Sequence, residues 1–325
     1  MMEVLARPLT VVAHDAGAAN HIFAWLGDEQ HTLCLAGPAR ALWQARLQKT
    51  GRVPAPESGL SLERDAVQSP LAESGLAAAL AGAATVITGT GWESGLEHDA
   101  RKLAREQGIR SIAVIDHWTN YRERFIRVGE EVLPDAIWVS DAYAKQLTTA
   151  TFPNIPTTQL PNLYLENLVQ DVRRLKAISP DSTCDHLLYV LEPIRQAWGQ
   201  LPQPGEFIAL DYFAGNLDHI SKSKKLKIRL RPHPSDPPGK YDAWMARNAH
   251  LPLTMDTASN LAESLAWSNI VVGCQTYAMV MGLAIGCAVY SSIPPWAPPC
   301  VLPHVEINSL SALIASVATS QLTNT

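Results

Sequence analysis

Short apolar runs alternate with amphipathic helical stretches through the first half of this chain. The strand-like runs are residues 9–13, 31–36, 84–88, 111–115 and 136–139. The helical stretches are residues 18–26, 39–48, 71–81, 96–107 and 142–149. Continuously apolar strands that alternate with helices are typical of a parallel sheet covered on both faces. The pattern therefore predicts an α/β fold.

The same alternation restarts in the second half. Strands are predicted at residues 187–191, 226–230, 253–255, 270–272 and 288–291, with helices at 205–221, 240–248, 261–267, 276–285 and 309–320. The 325 residues suffice for two domains of roughly 150 residues each. We expect two Rossmann-like domains, residues 1–168 and 169–325, that face a central cleft. Residues 50–69 are predicted to form a surface loop, and residues 179–185 an interdomain linker.

Composition and missing motifs exclude several classes of protein. A net charge of −5 argues against a nucleic-acid partner. The five cysteines are widely spaced and form no CxxC pair, so we expect neither a metal site nor a disulfide framework. There is no signal-peptide pattern and no apolar run of the roughly 20 residues that span a bilayer, which favours a cytoplasmic location. GxSxG, Walker and HExxH motifs are absent as well.

The most distinctive polar motif is Arg231-Pro232-His233-Pro234, which follows a predicted strand. The two prolines fix the backbone around His233. An imidazole beside guanidinium groups can donate a hydrogen bond to a phosphate or protonate a leaving group. The alternative is a structural turn in which His233 only satisfies a backbone carbonyl.

A second motif, Gly273-Cys274-Gln275-Thr276, joins a strand to a helix. Free N–H groups and the helix dipole favour an anion at such a helix start. Gln275 or Thr276 would add a side-chain donor, although Thr276 is also an ordinary N-cap residue.

Three polar segments follow strands of the first half. His14 and Asp15 follow the first strand and are candidate bases, with Asn20 nearby as an acceptor ligand. Asp15 would otherwise be a helix cap. The segment lacks the dinucleotide-binding spacing, so we predict no nicotinamide cofactor.

The segment after the third strand contains Thr90, Trp92 and Glu93. These side chains suit a sugar, because they offer hydrogen-bond partners for its hydroxyl groups and a flat apolar face for its ring. Glu93 and Glu97 also lie one helical turn apart. The competing interpretation is an ordinary strand-to-helix turn.

The fourth strand is followed by Asp116 and His117, a candidate base and its orienting partner. Trp118 and Arg122, which come next, would hold an anionic acceptor. The alternative is a buried Asp–Arg pair with a packed tryptophan.

Four segments of the second half resemble the donor-binding domain of GT-B-fold glycosyltransferases. They are residues 187–193, the Arg-Pro-His-Pro turn, the 260–267 helix and the 270–294 unit. Within that superfamily the His-Pro turn is similar to bacterial sialyltransferase-like and Kdo-transferase-like enzymes and to CDP-glycerol glycerophosphotransferases. The resemblance implies that His233 lies near the donor phosphate and that Gln275 and Thr276 cap the helix facing it. GT-B domains often carry a ribose-binding glutamate where this chain has Met281, and Glu192 is a candidate substitute.

These observations lead to three functional hypotheses. The first is a metal-independent transferase of surface polysaccharide or glycoconjugate synthesis, which moves a sugar or polyol phosphate from a nucleotide-activated donor to an acceptor. Asp116 or Asp15 would deprotonate the acceptor. The acceptor, if lipid-linked, would also bring the protein to a membrane surface. The predicted donor ligands are Arg231, His233, Cys274, Gln275, Thr276 and Glu192. The alternatives are a non-hydrolysing nucleotide-sugar 2-epimerase and a catalytically silent binding protein with the same fold.

Overall fold

The computed structural model describes residues 5–27, 31–50, 73–176, 184–223 and 225–322. The chain divides into two compact units, Met1–Tyr164 and Leu165–Thr325. All but the first residue of the predicted loop at 50–69 and most of the predicted linker at 179–185 lie outside the described residues. The domain boundary predicted after residue 168 falls inside a helix, Leu163–Lys176.

The first unit is built on a six-stranded parallel sheet. The strands of this unit are β1 (Leu9–Ala13), β2 (Thr32–Leu35), β3 (Thr85–Thr88), β4 (Arg110–Ile115), β5 (Ile126–Arg127), β6 (Glu130–Glu131), β7 (Ala136–Val139) and β8 (Thr157–Gln159). The helices are α1 (Ala16–Leu26), α2 (Gly37–Thr50), α3 (Glu73–Leu80), α4 (Leu96–Gln107) and α5 (Ala142–Thr151), and α6 (Leu163–Lys176) begins in this unit and continues into the second. The sheet order is β2-β1-β3-β4-β7-β8, while β5 and β6 form a separate antiparallel hairpin.

The second unit repeats this design. The strands are β9 (Asp185–Val190), β10 (Leu226–Arg231), β11 (Leu253–Met255), β12 (Ile270–Gly273), β13 (Ala288–Ser291) and β14 (Asn308–Ser309). The helices are α7 (Gly205–Gly215), α8 (Asp242–Arg247), α9 (Leu261–Trp267), α10 (Tyr277–Ala284) and α11 (Leu310–Leu322). All six strands are parallel, in the order β11-β10-β9-β12-β13-β14.

The central strands of both sheets are buried on both faces, which explains the apolar runs in the sequence. Alternate residues of β1 divide between two clusters: Val11 packs with α1 on one face, and Val12 packs with α3 and α4 on the other. In the second unit Leu187 and Ile228 belong to one continuous core on a single face of the sheet. The structure thus confirms the predicted fold class of two parallel-sheet α/β domains.

Every predicted strand is present, but several local features differ from the sequence prediction, including the unpredicted two-residue strand β14. The β5–β6 hairpin was missed, because its two-residue strands are too short to show a period. Val128 and Gly129 at its tip both have positive φ, as a two-residue hairpin turn requires. The helix predicted over residues 205–221 ends at Gly215, since glycine is a poor helix former, and a 3-10 turn follows.

Each sheet has one point at which the chain reverses the direction in which strands are added. In the first unit it lies between β1 and β3, and in the second between β9 and β12. Ligands of open α/β sheets bind at the carboxyl ends of the strands flanking such a switch point. Among the described residues, no helix is long and apolar enough to cross a membrane.

Candidate functional site

A buried glutamate joins the two strand ends at the switch point of the first unit. Glu97, in the first turn of α4, accepts hydrogen bonds from the backbone N–H of His14 at 2.8 Å and of Gly91 at 2.6 Å. The residue is only 1 % exposed. Burial raises the pKa of Glu97, while the two N–H groups and Arg101 oppose that rise. Glu97 therefore fixes the loops after β1 and β3 relative to each other.

His14 and Asp15 form a dyad beside this glutamate. Nδ1 of His14 lies 3.1 Å from Oδ1 of Asp15, and this hydrogen bond is the main cause of the raised pKa of His14. A Cβ atom on Gly91 would lie 1.8 Å from Oδ2 of Asp15, and one on Gly37 would lie 2.5 Å from Nε2 of His14. The dyad thus requires glycine on both sides. Asp15 makes no side-chain capping bond to α1, so the capping alternative does not account for it.

Asp116 lies at the end of β4 in an ion pair with Arg124. Nη1 of Arg124 is 3.3 Å from Oδ1 of Asp116, and the same guanidinium group donates to the backbone oxygen atoms of Thr90 and Thr119. A Cβ atom on Gly17 would lie 1.7 Å from Oδ2 of Asp116, so this carboxylate rests directly on the start of α1. Arg124 therefore joins the loops after β3 and β4.

Several predicted acceptor ligands instead stabilise the fold of this unit. Trp118 is buried and donates its indole N–H to Asp141, the N-cap of α5. Thr90 is buried and donates its hydroxyl to the backbone oxygen of Val114. Trp118 thus follows the packing alternative that the sequence left open.

Other predicted site residues, including the candidate orienting partner His117, lie nearer the surface. Arg122 is exposed, and its Nε atom forms an ion pair with Glu131 at 2.9 Å. His117 is half-buried, with Nδ1 3.3 Å from the hydroxyl of Thr119. Asn20 is half-buried on α1, on the turn that follows Gly17.

The loop after β3 presents an aromatic side chain. Trp92 is 43 % exposed, with the guanidinium carbon of Arg124 6.0 Å from its ring centroid, and the neighbouring Glu93 is exposed. Arg127 anchors this loop through bonds from Nη2 to the backbone oxygen atoms of Gly91 and Ser94. Arg127 escaped the sequence analysis because it belongs to the unpredicted hairpin.

A glutamate also occupies the switch point of the second unit. Oε2 of Glu192, after β9, accepts the backbone N–H of Gln275 at 2.8 Å, before α10. Thr276 is the N-cap, whose hydroxyl lies 3.4 Å from the N–H of Ala278. Burial raises the pKa of Glu192 to about 7, although the N–H groups of Gln275 and Thr276 counteract this effect. A carboxylate thus lies where we predicted that the helix start would meet a phosphate.

The Arg-Pro-His-Pro turn is held from below by buried carboxylates. Nη1 of Arg231 lies 2.7 Å from Oδ2 of the fully buried Asp256, a contact that ties this guanidinium to the sheet. The exposed His233 has Nδ1 2.7 Å from the hydroxyl of Ser235. Its backbone N–H donates to Asp236. The turn therefore presents the imidazole at the surface from a fixed backbone.

Lys240 links this turn to the loop after β9. Its Nζ atom lies 2.6 Å from Asp236 and 2.7 Å from Glu206, two carboxylates that are almost completely buried. Glu206 also accepts the backbone N–H of Arg195, a residue with φ of 52°. No local sequence pattern indicated this network, because its members lie on three separate segments.

The surroundings of Cys274 and Met281 bear on the predictions for the second unit. Cys274 is buried with Ile194 and Ile293 in an apolar cluster, which raises the pKa of its thiol and makes it a packing residue rather than a donor ligand. Met281, in the place of the expected ribose-binding acid, is only 3 % exposed. A carboxylate there would be buried without a partner, so the apolar side chain suits this position. In the described part of the chain, no group of three or more His, Cys, Asp or Glu residues is arranged to hold a metal ion.

Comparisons with known proteins identify the fold. No family model and no curated protein matches the chain. Among solved structures it is similar to UDP-GlcNAc 2-epimerase from Neisseria meningitidis bound to UDP-GlcNAc, with a TM-score of 0.61, 10 % identity and coverage of 96 % of this chain and 90 % of the other. It is also similar to UDP-GlcNAc 2-epimerase from Methanocaldococcus jannaschii, with a TM-score of 0.56, 10 % identity and coverage of 87 % and 83 %.

A third similar structure is S. aureus MnaA with UDP, with a TM-score of 0.59, 10 % identity and coverage of 97 % and 87 %. At this level of identity the likeness concerns the fold alone. The chain therefore has a GT-B-like fold of two parallel-sheet domains.

Proposed function

We propose that this chain is an enzyme that acts on a nucleotide-activated sugar and breaks the bond between the anomeric carbon and the nucleotide phosphate. One observation carries the proposal: in both units, ionisable residues converge on the strand ends at the switch point, where open α/β sheets bind ligands. The resemblance to solved proteins that hold UDP-GlcNAc or UDP supports the same ligand class.

In this proposal the second unit binds the nucleotide. The imidazole of His233 and the start of α10 stabilise negative charge on the departing phosphate. The fixed backbone of the turn favours this role, because a preorganised donor does not have to reorient during the reaction.

The first unit supplies the base in a transfer reaction. Asp15 accepts the proton of the acceptor hydroxyl, whose oxygen then bonds to the anomeric carbon while the electron pair of the broken C–O bond stays on the phosphate. Asp15 suits this role better than Asp116, because the Asp116 carboxylate is already held by Arg124 and rests against the start of α1. His14 orients Asp15 through their hydrogen bond.

The experiment is a thermal-shift screen of CMP, CDP, UDP, GDP and their sugars, followed by turnover assays of the ligands that bind. A ligand at about a hundred times its Kd stabilises the folded state by roughly 2.7 kcal/mol, which is readily measured. Asp15→Asn should lower kcat by about a hundredfold or more. The matched control is Asp99→Asn, an exposed aspartate on α4 with 64 % of its side chain accessible, and it should turn over normally. Equal rates for both variants would refute the assignment of the base.

A second candidate, nucleotide-sugar 2-epimerisation, is favoured by a specific observation. Two of the similar solved structures are UDP-GlcNAc 2-epimerases, and the first unit brings two carboxylates, Asp15 after β1 and Asp116 after β4, to the same edge of the sheet on either side of β3. An epimerase would incorporate deuterium from D2O at C2 without an acceptor, whereas a transferase would show no such exchange and would need an acceptor. Nucleotide binding without either reaction would identify a binding protein instead.

A further inference from the structure

The carboxylate of Glu192 occupies the position that an anionic ligand would take at the start of α10. Its Oε2 atom is 2.8 Å from the backbone nitrogen of Gln275, and the N–H of Thr276 also points to it. The first unit shows the same arrangement at its own switch point, where Glu97 accepts N–H groups from the loops after β1 and β3. In both units a glutamate from the protein satisfies N–H groups at the point where a ligand is expected.

A phosphate that uses the same N–H groups would bring its negative charge next to this carboxylate. Two anions in one site repel each other, and such pairs bind a shared proton. A protonated carboxyl group can keep one oxygen on the N–H of Gln275 and donate its O–H to a phosphate oxygen. The charge conflict then becomes a hydrogen bond.

The groups that face Glu192 do not neutralise it. Tyr189 on β9, Cys274 at the end of β12 and Cys300 in the segment after β13 interact with it electrostatically. Burial raises the pKa of each of these three groups, so they are uncharged near neutral pH. A proton on Glu192 is therefore the simplest way to admit a second anion.

We propose that Glu192 binds the ligand phosphate in its protonated form, so that a ligand that binds the ionised protein is accompanied by one proton from solvent onto this carboxylate. The inference rests on the proposed nucleotide-sugar function and adds a residue that touches the substrate phosphate. It also assigns Glu192 a contact with phosphate instead of the ribose contact that the sequence suggested.

The effect on affinity follows from the fraction of protein in the protonated form. Burial raises the pKa of Glu192 to about 7 in the free protein. At pH 8.5 only about 3 % of molecules carry the proton, and the apparent Kd rises by the inverse of that fraction, or about 30-fold. Glutamine is neutral at every pH and can donate from its amide, so Glu192→Gln should bind at pH 8.5 about as well as at pH 6.5.

The test measures binding of UDP-GlcNAc and CDP-glycerol by titration calorimetry between pH 6 and 9, in two buffers with different ionisation enthalpies. The diphosphate of neither probe carries a proton that titrates in this range. Wild-type protein should lose affinity by nearly tenfold per pH unit above about pH 8, and its proton uptake per ligand should rise from about 0.1 at pH 6 to nearly one at pH 9. Glu192→Gln should abolish both effects. Proton uptake is measured on wild-type protein, so the inference stays testable even if the variant does not fold.

Two control variants separate Glu192 from other titrating groups. Glu263→Gln changes an exposed carboxylate of the same unit that also accepts a backbone N–H, and the pH dependence should persist. His233→Gln should weaken binding but keep the loss of affinity above pH 7. Loss of that dependence in His233→Gln, or its survival in Glu192→Gln, would overturn the inference.

The outcomes also separate this inference from the proposed function. Tight wild-type binding without proton uptake would overturn only the role of Glu192. Absence of binding of both probes to wild-type protein and to Glu192→Gln at every pH would overturn the proposed function and this inference together.

Discussion

Replacing Glu97 tests how the first unit positions its candidate catalytic residues. Glu97→Ala leaves the N–H groups of His14 and Gly91 without their acceptor at 2.8 and 2.6 Å. An unsatisfied buried donor costs about 1–3 kcal/mol, with the lower end for Gly91, which is partly exposed. The buried Arg101 also loses a carboxylate that favours its charged form. We expect the free energy of unfolding to fall by about 4 kcal/mol.

Glu97→Gln refines this prediction, because the amide offers one acceptor oxygen where the carboxylate offers two. It should therefore cost about 2 kcal/mol, or half as much as alanine. Urea unfolding followed by tryptophan fluorescence and circular dichroism measures both variants. The control Glu93→Gln removes an exposed carboxylate from the same loop and should change stability by less than about 0.5 kcal/mol. A Glu97→Ala protein whose free energy of unfolding lies within about 1 kcal/mol of wild type would refute the idea that this carboxylate joins the two loops. A change that small is close to what an ordinary surface substitution produces.

Three further predictions follow from contacts in both units. Gly91→Ala places a methyl group 1.8 Å from Oδ2 of Asp15 and should lower turnover about a hundredfold. The control Gly95→Ala, whose methyl group would lie 3.3 Å from Oδ2 of Asp99, should leave turnover unchanged. Equal turnover of the two variants would contradict the packing argument. Lys240→Met leaves two buried carboxylates without their shared cation and should lower the free energy of unfolding in urea by about 3–5 kcal/mol. A change below about 1 kcal/mol would count against the stabilising role of the Lys240 ion pairs. The raised pKa of Glu192 means that the folded state binds the proton of this carboxyl group more tightly than the unfolded state does. The free energy of unfolding should therefore fall by at most about 3 kcal/mol as pH rises from about 4.5 to 7. The same pH dependence in Glu192→Gln would exclude Glu192 as its source.

Much of the fold was predictable because it depends on local patterns. The central strands of both sheets are buried on two faces, and such strands appear in the sequence as continuous apolar runs, as in β1 and β4. The hairpin that carries Arg127 was missed, because two-residue strands have no measurable period. The end of α7 was placed too late, since the residues after Gly215 continue in a helical 3-10 turn.

The candidate site was predictable only in its position along the chain. Polar residues directly after apolar strands pointed to His14, Asp15 and His233, and parallel strands bring such residues to one edge of a sheet. The sequence could not distinguish side chains that face a ligand from those that face the core. Trp118 and Cys274 both follow strands, yet both are buried.

The sequence by itself determined two parallel sheets and the strand ends at which polar side chains gather. Only the tertiary structure decided which partner each of those side chains takes. Glu97 and Glu192 accept N–H groups from residues far away in the chain, and these contacts exist only once the strands on either side of each switch point are paired with their neighbours. Local periodicity records the burial of a strand, but the partner of a carboxylate is set by distances between segments that no local pattern encodes.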